Sequence, residues 1–516
     1  MKRQQLISPG SLSRMLEAAR ESWKSQDYEK CLEILERATR LDPANPNVLL
    51  QLGAAHGMRY DYTAAERCFE MGVRVAPQKT HALAMAGAQC RNFGRYDMAR
   101  NYFERAIQEK GASPDTFVKL AELYERFRLL EEASRMIDRA LELDAECALA
   151  LLVRARLDRL GSRLDEAEKL VRSLLTKTDP NSWSTRIRGW YELGAILDRQ
   201  GRYDEAMTAF LEAKAMIRPT ATQHITTQQS IHARLKEVME QVSPDMLRRW
   251  REAGKSFQPA RRLALLCGHP RSGTTLLEQV LDSHPDVISA EETTVFLDEV
   301  SLPLKRGFPP DTTMPAVLEA ATPETLKRAR ENYFRNAEAL LGNPIGGSLL
   351  IDKNPSLTVL VLVAIRAFPE IKFLTALRDP RDVCLSCFMQ PLPLNDVSSM
   401  FLSLEGTVAE YNSTMGFWRA AAPLMPDSCI EVRYEDVVED LESASRRVLE
   451  FLGIPWDARV LHFEEHARQK LVRSPTYADV TKPVFKGAVG RWRNYQKYLE
   501  PCLERLEPLV KAFGYE

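Results

Sequence analysis

The chain has 516 residues, too many for one hydrophobic core, so we expect two domains or a repeat array joined to a domain. It carries 70 Lys and Arg residues against 71 Asp and Glu residues, a net charge of -1. This balance argues against global attraction to nucleic acid or anionic lipid, so any anion-binding site must be local. No apolar run is long enough to span a bilayer, and a membrane span is not expected.

The cysteine content favours a reducing compartment. Nine cysteines are scattered along the chain, an odd count that predicts free thiols and a cytoplasmic location, and the first residues do not resemble a secretory signal. Cys384 and Cys387 form a C-x-x-C pair without a second pair of ligands. We therefore expect no metal site.

Internal repetition dominates the first 220 residues. Similar helical segments open, at separations of 34, 34, 34, 34 and 39 residues, at Tyr28, Tyr62, Tyr96, Leu130, Leu164 and Tyr203. Three residues after each opening stands a small side chain, which lets neighbouring helices approach closely: Cys31, Ala65, Ala99, Ala133, Ala167 and Ala206.

A 34-residue helix-turn-helix period resembles that of the tetratricopeptide family, here over residues 12–217, after a disordered start at 1–11. Such units stack into a solenoid with a concave surface, which favours docking of a peptide or protein partner. The alternative is a spacer or a platform for a homodimer. Residues 218–257 predict a helical connector.

A strand, a turn and a helix follow the connector. Residues 263–267 are an apolar run of strand length, 268–275 are a turn with small hydroxyl residues, and helical spacing begins at Leu276. In this context backbone N–H groups and a helix N-terminus can hold a phosphate.

The spacing of this loop is close to that of a nucleoside triphosphatase but lacks its lysine. Gly268 and Gly273 are five residues apart and Thr275 takes the place of the final hydroxyl, but Thr274 replaces the lysine that reaches the β- and γ-phosphates. Arg271 supplies a cation instead. The loop favours a 5'-phosphate that bears a sulfuryl group, and disfavours a metal-dependent nucleotide kinase or phosphatase.

The segment HPRSGTTLLEQVLDSHPDVISAEET resembles the phosphosulfate-binding segment of sulfotransferases, most of all the tyrosylprotein sulfotransferases. The likeness extends over about residues 260–495. It implies a P-loop-like α/β domain at 258–516 with a central parallel sheet between helices, 3'-phosphoadenosine-5'-phosphosulfate (PAPS) as donor, 3',5'-adenosine bisphosphate (PAP) as product, and no metal. It assigns donor binding to Arg271, Ser272, Gly273, Thr274, Thr275, Arg378, Ser386, Tyr434, Ser474 and Arg491.

A second signature is carried by IKFLTALRDPRDVCLSCF, in which Arg378 follows a strand and Ser386 falls on the next helix. By the resemblance, both converge on the 3'-phosphate that distinguishes this donor from ATP. The competing interpretation is a surface turn in which Asp379 and Arg381 neutralise each other.

The chemistry requires a base, because a hydroxyl nucleophile must lose its proton and a tyrosine phenol has a pKa of about 10. The resemblance assigns this role to Glu292, whereas Glu291 suits a helix-capping role. Charge that develops on the leaving phosphate needs fixed cations, for which Arg271 and Lys353 are the candidates. Ser474 is included among the catalytic residues.

The chain departs from the tyrosylprotein enzymes at two positions. Ser289 and Ile351 stand where that family has cysteines, so its disulfide is missing, in agreement with a reducing compartment.

We expect sulfuryl transfer to a hydroxyl, with the acceptor a tyrosine of a peptide or protein that the repeats dock. The alternatives are a hydroxyl of a small molecule, sugar or lipid, or a non-catalytic repeat scaffold with a degenerate nucleotide-binding domain. The scaffold interpretation is disfavoured because the chain retains Arg271, Glu292, Lys353, Arg378 and Ser386 together.

Overall fold

The computed structural model describes residues 9–25, 27–177, 182–257, 260–469 and 486–515. The chain divides into two compact units, Met1–Leu170 and Val171–Glu516. The first twelve helices follow one another in the chain, with the division inside the tenth: α1 Pro9–Lys24, α2 Tyr28–Leu41, α3 Pro46–Met58, α4 Tyr62–Val75, α5 Lys79–Asn92, α6 Tyr96–Gln108, α7 Pro114–Arg126, α8 Leu130–Leu143, α9 Ala148–Leu160, α10 Leu164–Lys177, α11 Trp183–Arg199 and α12 Tyr203–Ile217.

The predicted repeat openings coincide with helix starts. Each of the six residues that open a repeat is the first residue of an even-numbered helix, from Tyr28 in α2 to Tyr203 in α12. The small side chains three positions later are buried, and all but Cys31 are fully inaccessible to solvent. The prediction of helical tetratricopeptide repeats is therefore confirmed.

The turn before each even-numbered helix from α4 to α12 has a left-handed residue two positions ahead of the helix. These residues have φ between 61° and 79° and keep the repeat spacing: Tyr60, Gly94, Arg128, Ser162 and Gly201. Such a backbone lets the chain reverse within a tight turn, and it costs a non-glycine residue more than a glycine. The repeat is thus defined by its turn as well as by its packing.

Small residues also set the distance between neighbouring helices. A Cβ atom at Gly53 of α3 would lie 2.6 Å from the ring of Phe69 in α4. Only hydrogen fits at this position, so the aromatic ring packs directly on the backbone of α3.

The second unit contains a five-stranded sheet in the order β2-β3-β1-β4-β5, in which every neighbouring pair is parallel. The strands are β1 Leu263–Gly268, β2 Val287–Glu291, β3 Leu349–Lys353, β4 Lys372–Leu377 and β5 Cys429–Arg433. All residues of the central strand β1 are buried, as expected for a parallel strand covered on both faces. The predicted α/β domain with a parallel sheet is confirmed.

Helices connect and cover the strands. Their bounds are α13 Thr222–Gln241, α14 Pro244–Gly254, α15 Thr274–Asp282, α16 Leu302–Lys305, α17 Met314–Ala320, α18 Pro323–Leu341, α19 Val361–Ala367, α20 Pro380–Met389, α21 Asp396–Met400, α22 Leu404–Ala421, α23 Tyr434–Glu439, α24 Leu441–Leu452, α25 Phe463–Gln469 and α26 Gln496–Ala512. A 3-10 turn at Arg491–Tyr495 precedes α26. Within the described residues, no helix combines the length and the apolar character needed to cross a bilayer.

The last helical pair of the array, α11 and α12, packs against the α/β domain inside the second unit. The ring of Tyr203 meets that of Tyr495 edge-on at 5.3 Å between centroids. Asp204 accepts hydrogen bonds from Tyr498 and pairs with Lys497 at 2.7 Å. These contacts make the final repeat a structural part of the α/β domain.

Lys214 of α12 is buried in the same interface, with 3% of its surface exposed. Its ammonium lies 5.3 Å from the ring centroid of Tyr191 and 5.0 Å from that of Phe388, and it has no hydrogen-bond acceptor among the described residues. Burial lowers the pKa of Lys214 to about 7. Two aromatic faces only partly replace the water that an ammonium loses on burial.

We predict that Lys214→Met stabilises the protein at neutral pH by about 1–3 kcal/mol, the measured cost of burying a polar group without a hydrogen bond. In the unfolded chain this lysine keeps its proton up to about pH 10, whereas the folded state releases it near pH 7. The unfolded state therefore binds more protons between these limits, and the stability of the unsubstituted chain rises with pH in that window.

Denaturant unfolding at pH 7 and pH 10 checks this prediction. The advantage of the methionine variant should shrink toward pH 10, while Lys236→Met, on the exposed face of α13, should show no such pH dependence. If the gain in unfolding free energy from Lys214→Met stayed constant with pH, the pKa of Lys214 would not be lowered in the folded state.

Candidate active site

The phosphate loop joins the end of β1 to the start of α15. Gly268 has φ of 128°, and a Cβ atom there would lie 2.4 Å from the carbonyl oxygen of Ala376 on β4. Thr358 fastens the same residue, since its hydroxyl accepts from Gly268 N at 2.8 Å and donates to Gly268 O at 2.6 Å. The loop therefore leaves the sheet in one fixed direction.

Gly273 forms the N-cap of α15 in a left-handed conformation with φ of 92°, and no side chain caps the helix. The first amides of a helix have no partners within it, so those of Thr274 and Thr275 are suited to an anion. A Cβ atom at Gly273 would lie 2.6 Å from Cδ2 of Tyr434, which shows how closely that ring covers the loop.

Arg271 is the centre of a hydrogen-bond network that joins both sequence signatures. Its Nε donates to Ser386 Oγ at 2.9 Å, and its carbonyl oxygen accepts from Arg378 Nη1 at 3.3 Å. Arg378 also lies 5.2 Å from the ring centroid of Tyr434. Three predicted donor-binding residues are thus brought to the loop from β4, α20 and the end of β5.

The interpretation of Asp379 and Arg381 as a surface turn accounts for part of this segment only. The two side chains do pair at 2.7 Å, and Asp379 caps the N-terminus of α20. Arg378 nevertheless points to the phosphate loop and is 92% buried, since 8% of its surface is exposed. The charged turn and the arginine of the site coexist.

Lys353 ends β3 and is completely buried. Its Nζ lies 2.9 Å from Glu292 Oε1, and 3.3 Å from Glu291 Oε1 and from Glu278 Oε2. Burial by itself lowers the pKa of Lys353, but the three carboxylates raise it above its ordinary value, so the ammonium keeps its proton. Ser289 donates to Glu278 Oε1 at 2.8 Å and thereby holds the deepest carboxylate in place.

The two neighbouring acids differ in exposure. Glu291 is the last residue of β2, is 5% exposed and contacts Lys353, so it does not cap the following helix as its sequence position suggested. Glu292 turns outward with φ of 47° and a side chain that is 36% exposed. Its backbone N–H donates to Lys353 O at 2.7 Å, which ties the turn to the end of β3.

A cavity of about 1030 Å³ lies at the carboxyl ends of the strands. It is lined by nine of the residues that were predicted from the sequence: Arg271, Gly273, Thr274, Thr275, Glu292, Arg378, Ser386, Tyr434 and Arg491. Ser272 and Lys353 are buried beneath it, and Ser474 falls outside the described residues.

Sequence reasoning missed several residues that line the same cavity. Asp198 and Arg199 end helix α11 of the last repeat, and Asp396 begins α21, where it lies 2.6 Å from His224. Asn395 caps α21 together with Ser398, a pattern that could predict a helix start but not its place beside a cavity. No sequence signal links α11 to the site, because its contribution depends on how distant segments pack.

Metal ligands are not grouped in the parts of the chain that the structure describes: no three His, Cys, Asp or Glu side chains there are arranged to hold an ion. The carboxylates that do converge, those around Lys353, enclose an ammonium.

Parts of the chain match known protein families. Residues 264–458 match the sulfotransferase family, and residues 15–45, 93–157 and 187–218 match tetratricopeptide repeats. The chain therefore combines tetratricopeptide repeats with a sulfotransferase-family domain. Within that class, its C-terminal region is similar to protein-tyrosine sulfotransferases.

Protein-tyrosine sulfotransferase A of Caenorhabditis elegans is 27% identical over 262 residues, which are 48% of this chain and 66% of the relative. Protein-tyrosine sulfotransferase 1 of Rattus norvegicus is 30% identical over 261 residues, 47% of this chain and 66% of the relative. An uncharacterized protein of Aquifex aeolicus is 27% identical over 331 residues, 63% of this chain and 42% of the relative. The chain thus spans 42% to 66% of the length of these relatives.

Among solved structures, the sulfotransferase domain of the Synechococcus PCC 7002 olefin synthase is 21% identical, with a TM-score of 0.37, and the match covers 50% of this chain and 96% of that domain. This likeness is too low to bear on function.

We predict that Gly273→Ala destabilises the protein more than Gly307→Ala does. The two glycines have nearly the same φ, 92° and 89°, but a Cβ atom meets Tyr434 at the first and open space at the second. Gly307→Ala should cost about 1 kcal/mol for the left-handed backbone, and Gly273→Ala about 1–3 kcal/mol more for the collision. Unfolding free energies of the two variants measure the difference, and equal values would show that Tyr434 does not cover the loop.

Proposed function

We propose that this chain transfers a sulfuryl group from PAPS to a hydroxyl group of a peptide or protein acceptor. The observation that carries the proposal is that one cavity is lined both by a phosphate loop without the triphosphate lysine and by Glu292, an acid held 2.9 Å from a buried ammonium. A binding scaffold alone has no use for such an acid. The proposal covers the activity of the whole protein, its donor and its acceptor.

The residues of the cavity fit a donor with two anionic ends. Gly273 caps α15 without a side-chain hydrogen bond, and the first amides of that helix suit a phosphate. Arg378 lines the cavity, and its buried Nε has no hydrogen-bond partner among the described residues. Arg271, Ser386 and Arg491 would complete the donor-binding set, and PAPS, when bound, supplies the sulfuryl group.

Glu292 is the proposed general base. Its Oε atoms would accept the proton of the acceptor hydroxyl as the new S–O bond forms, and Lys353 Nζ holds the carboxylate in place at 2.9 Å. Lys353 was expected to face the leaving phosphate, but its ammonium lies beneath the cavity among three carboxylates. This geometry supports a role in orienting Glu292, while Arg271 lines the cavity as the cation for the leaving group.

A tyrosine is the proposed acceptor group. A phenol with a pKa of about 10 needs a positioned base near neutral pH, which Glu292 provides. The repeat array gives a reason for a peptide or protein acceptor, since solenoid surfaces bind extended chains and raise the local concentration of a tethered hydroxyl. The names of the relatives, protein-tyrosine sulfotransferases, agree with this choice.

Incubation with donor labelled in its sulfuryl group, together with a lysate of the source cells, tests the function. Label should enter protein, and tyrosine sulfate should be recovered after hydrolysis. Label in extractable small molecules, sugars or lipids would replace the peptide acceptor, and no transfer at all would contradict the enzyme. Calorimetry should also show PAP binding without magnesium, and binding of magnesium-ATP instead of PAP would overturn the donor assignment.

We predict that Glu292→Gln keeps PAP binding and lowers turnover by about two to four orders of magnitude, the usual contribution of a positioned base. Glu291→Gln is the matched control, because Glu291 contacts the same ammonium but is buried beneath the cavity. It should reduce turnover much less. Steady-state rates and PAP titrations of both variants decide the ranking, and the reverse order would assign the base to Glu291.

A further inference from the structure

Arg491 reaches the cavity from a segment whose backbone is fixed at several points. The carboxylate of Asp382 on α20 accepts from Gly490 N and from Trp492 N, both at 2.7 Å. Arg378 donates to Ala488 O. The backbone on either side of Arg491 is therefore fixed from within the α/β domain, but none of these contacts orients its guanidinium.

The guanidinium is oriented by the last repeat. Arg491 Nη2 donates to Asp198 Oδ2, and Tyr495 donates to the other oxygen, Asp198 Oδ1, at 2.7 Å. Asp198 lines the same cavity as Arg491, and the side chain of Asp198 is 15% exposed. Arg491 has no other hydrogen-bond partner among the described residues, so its remaining N–H groups are available to a ligand.

The position of Asp198 in its helix argues for a role beyond helix stability. It stands in the last turn of α11, Trp183–Arg199, where the helix dipole disfavours a carboxylate. The helix is nevertheless rigid here, since Ile196 and Leu197 are buried and a Cβ atom at Gly194 would lie 2.6 Å from Phe210. The carboxylate in this place is explained by the hydrogen bonds that it accepts from Arg491 and Tyr495 of the α/β domain.

We propose that Asp198 is a positioning residue of the donor site, and that the final repeat is consequently part of that site. Asp198 holds the guanidinium of Arg491 so that its free N–H groups face the anionic donor; the proposal rests on the proposed function. The alternative is that Asp198 merely repels the donor and competes for Arg491. The two roles predict opposite signs, because loss of a positioning carboxylate weakens donor binding, whereas loss of a repelling one strengthens it.

PAP titrations of the full chain test this role. Asp198→Asn should raise the dissociation constant of PAP about three- to tenfold, in the lower part of the range of couplings between directly contacting side chains. Asp204→Asn is the matched control: it removes a carboxylate that also links the last repeat to α26, through Lys497 and Tyr498, but does not line the cavity. Its affinity for PAP should not change, and melting curves of both variants report folding.

A double-mutant cycle tests whether Asp198 acts through Arg491. In the background of Arg491→Ala, Asp198→Asn should cause no further loss of PAP affinity. Unchanged or tighter PAP binding by Asp198→Asn, or an equal loss in both backgrounds, would overturn the role of Asp198 alone. If the unsubstituted chain does not bind PAP, the proposed donor fails and this role fails with it.

Discussion

The site depends on one constraint, the parallel direction of all five strands. Parallel strands bring their carboxyl ends to a single edge, and here each end delivers one component of the cavity or of the charged cluster beneath it. The phosphate loop follows β1, the acid follows β2, the lysine ends β3, and Arg378 and Tyr434 follow β4 and β5. Pro270 and Tyr434, which are 164 positions apart in the chain, thereby face one volume.

Beneath this edge, three carboxylates surround one buried ammonium. Burying a lysine without a partner lowers its pKa, as at Lys214, but Lys353 is surrounded by Glu278, Glu291 and Glu292, of which only the last is substantially exposed. Ser289 and Ile351 are direct neighbours across β2 and β3. The hydroxyl of Ser289 donates to Glu278 and so helps to hold the carboxylate cluster.

Most of the fold and much of the site could be predicted because their signals are local. The repeats are visible as a 34-residue period, and Arg378 and Ser386 share a strand and the helix that follows it. The structure confirms these elements and brings nine predicted residues to one cavity. Their chemical roles remain predictions.

Other features depend on packing that no single segment encodes. Asp198 reaches Arg491 across 293 positions, and nothing in the repeat pattern distinguishes it from a surface acid. The burial of Lys353 beneath the cavity likewise follows from three carboxylates that come from α15 and the end of β2. Strand endings predict which residues approach the edge, but not which of them turn outward.

Backbone strain has a consequence for engineering. Among the described residues, five non-glycine residues have a left-handed backbone: three in repeat turns, and Arg271 and Glu292 in the cavity. Each costs on the order of 1 kcal/mol relative to glycine, which the repeats use at Gly94 and Gly201. Glycine at either position would release this strain but would also remove a partner, since Ser386 would lose the Nε of Arg271 and buried Lys353 would lose its nearest carboxylate. Because a hydrogen bond to a charged group contributes about 1.5–3 kcal/mol, more than the strain, a laboratory selection for heat resistance alone would retain both side chains.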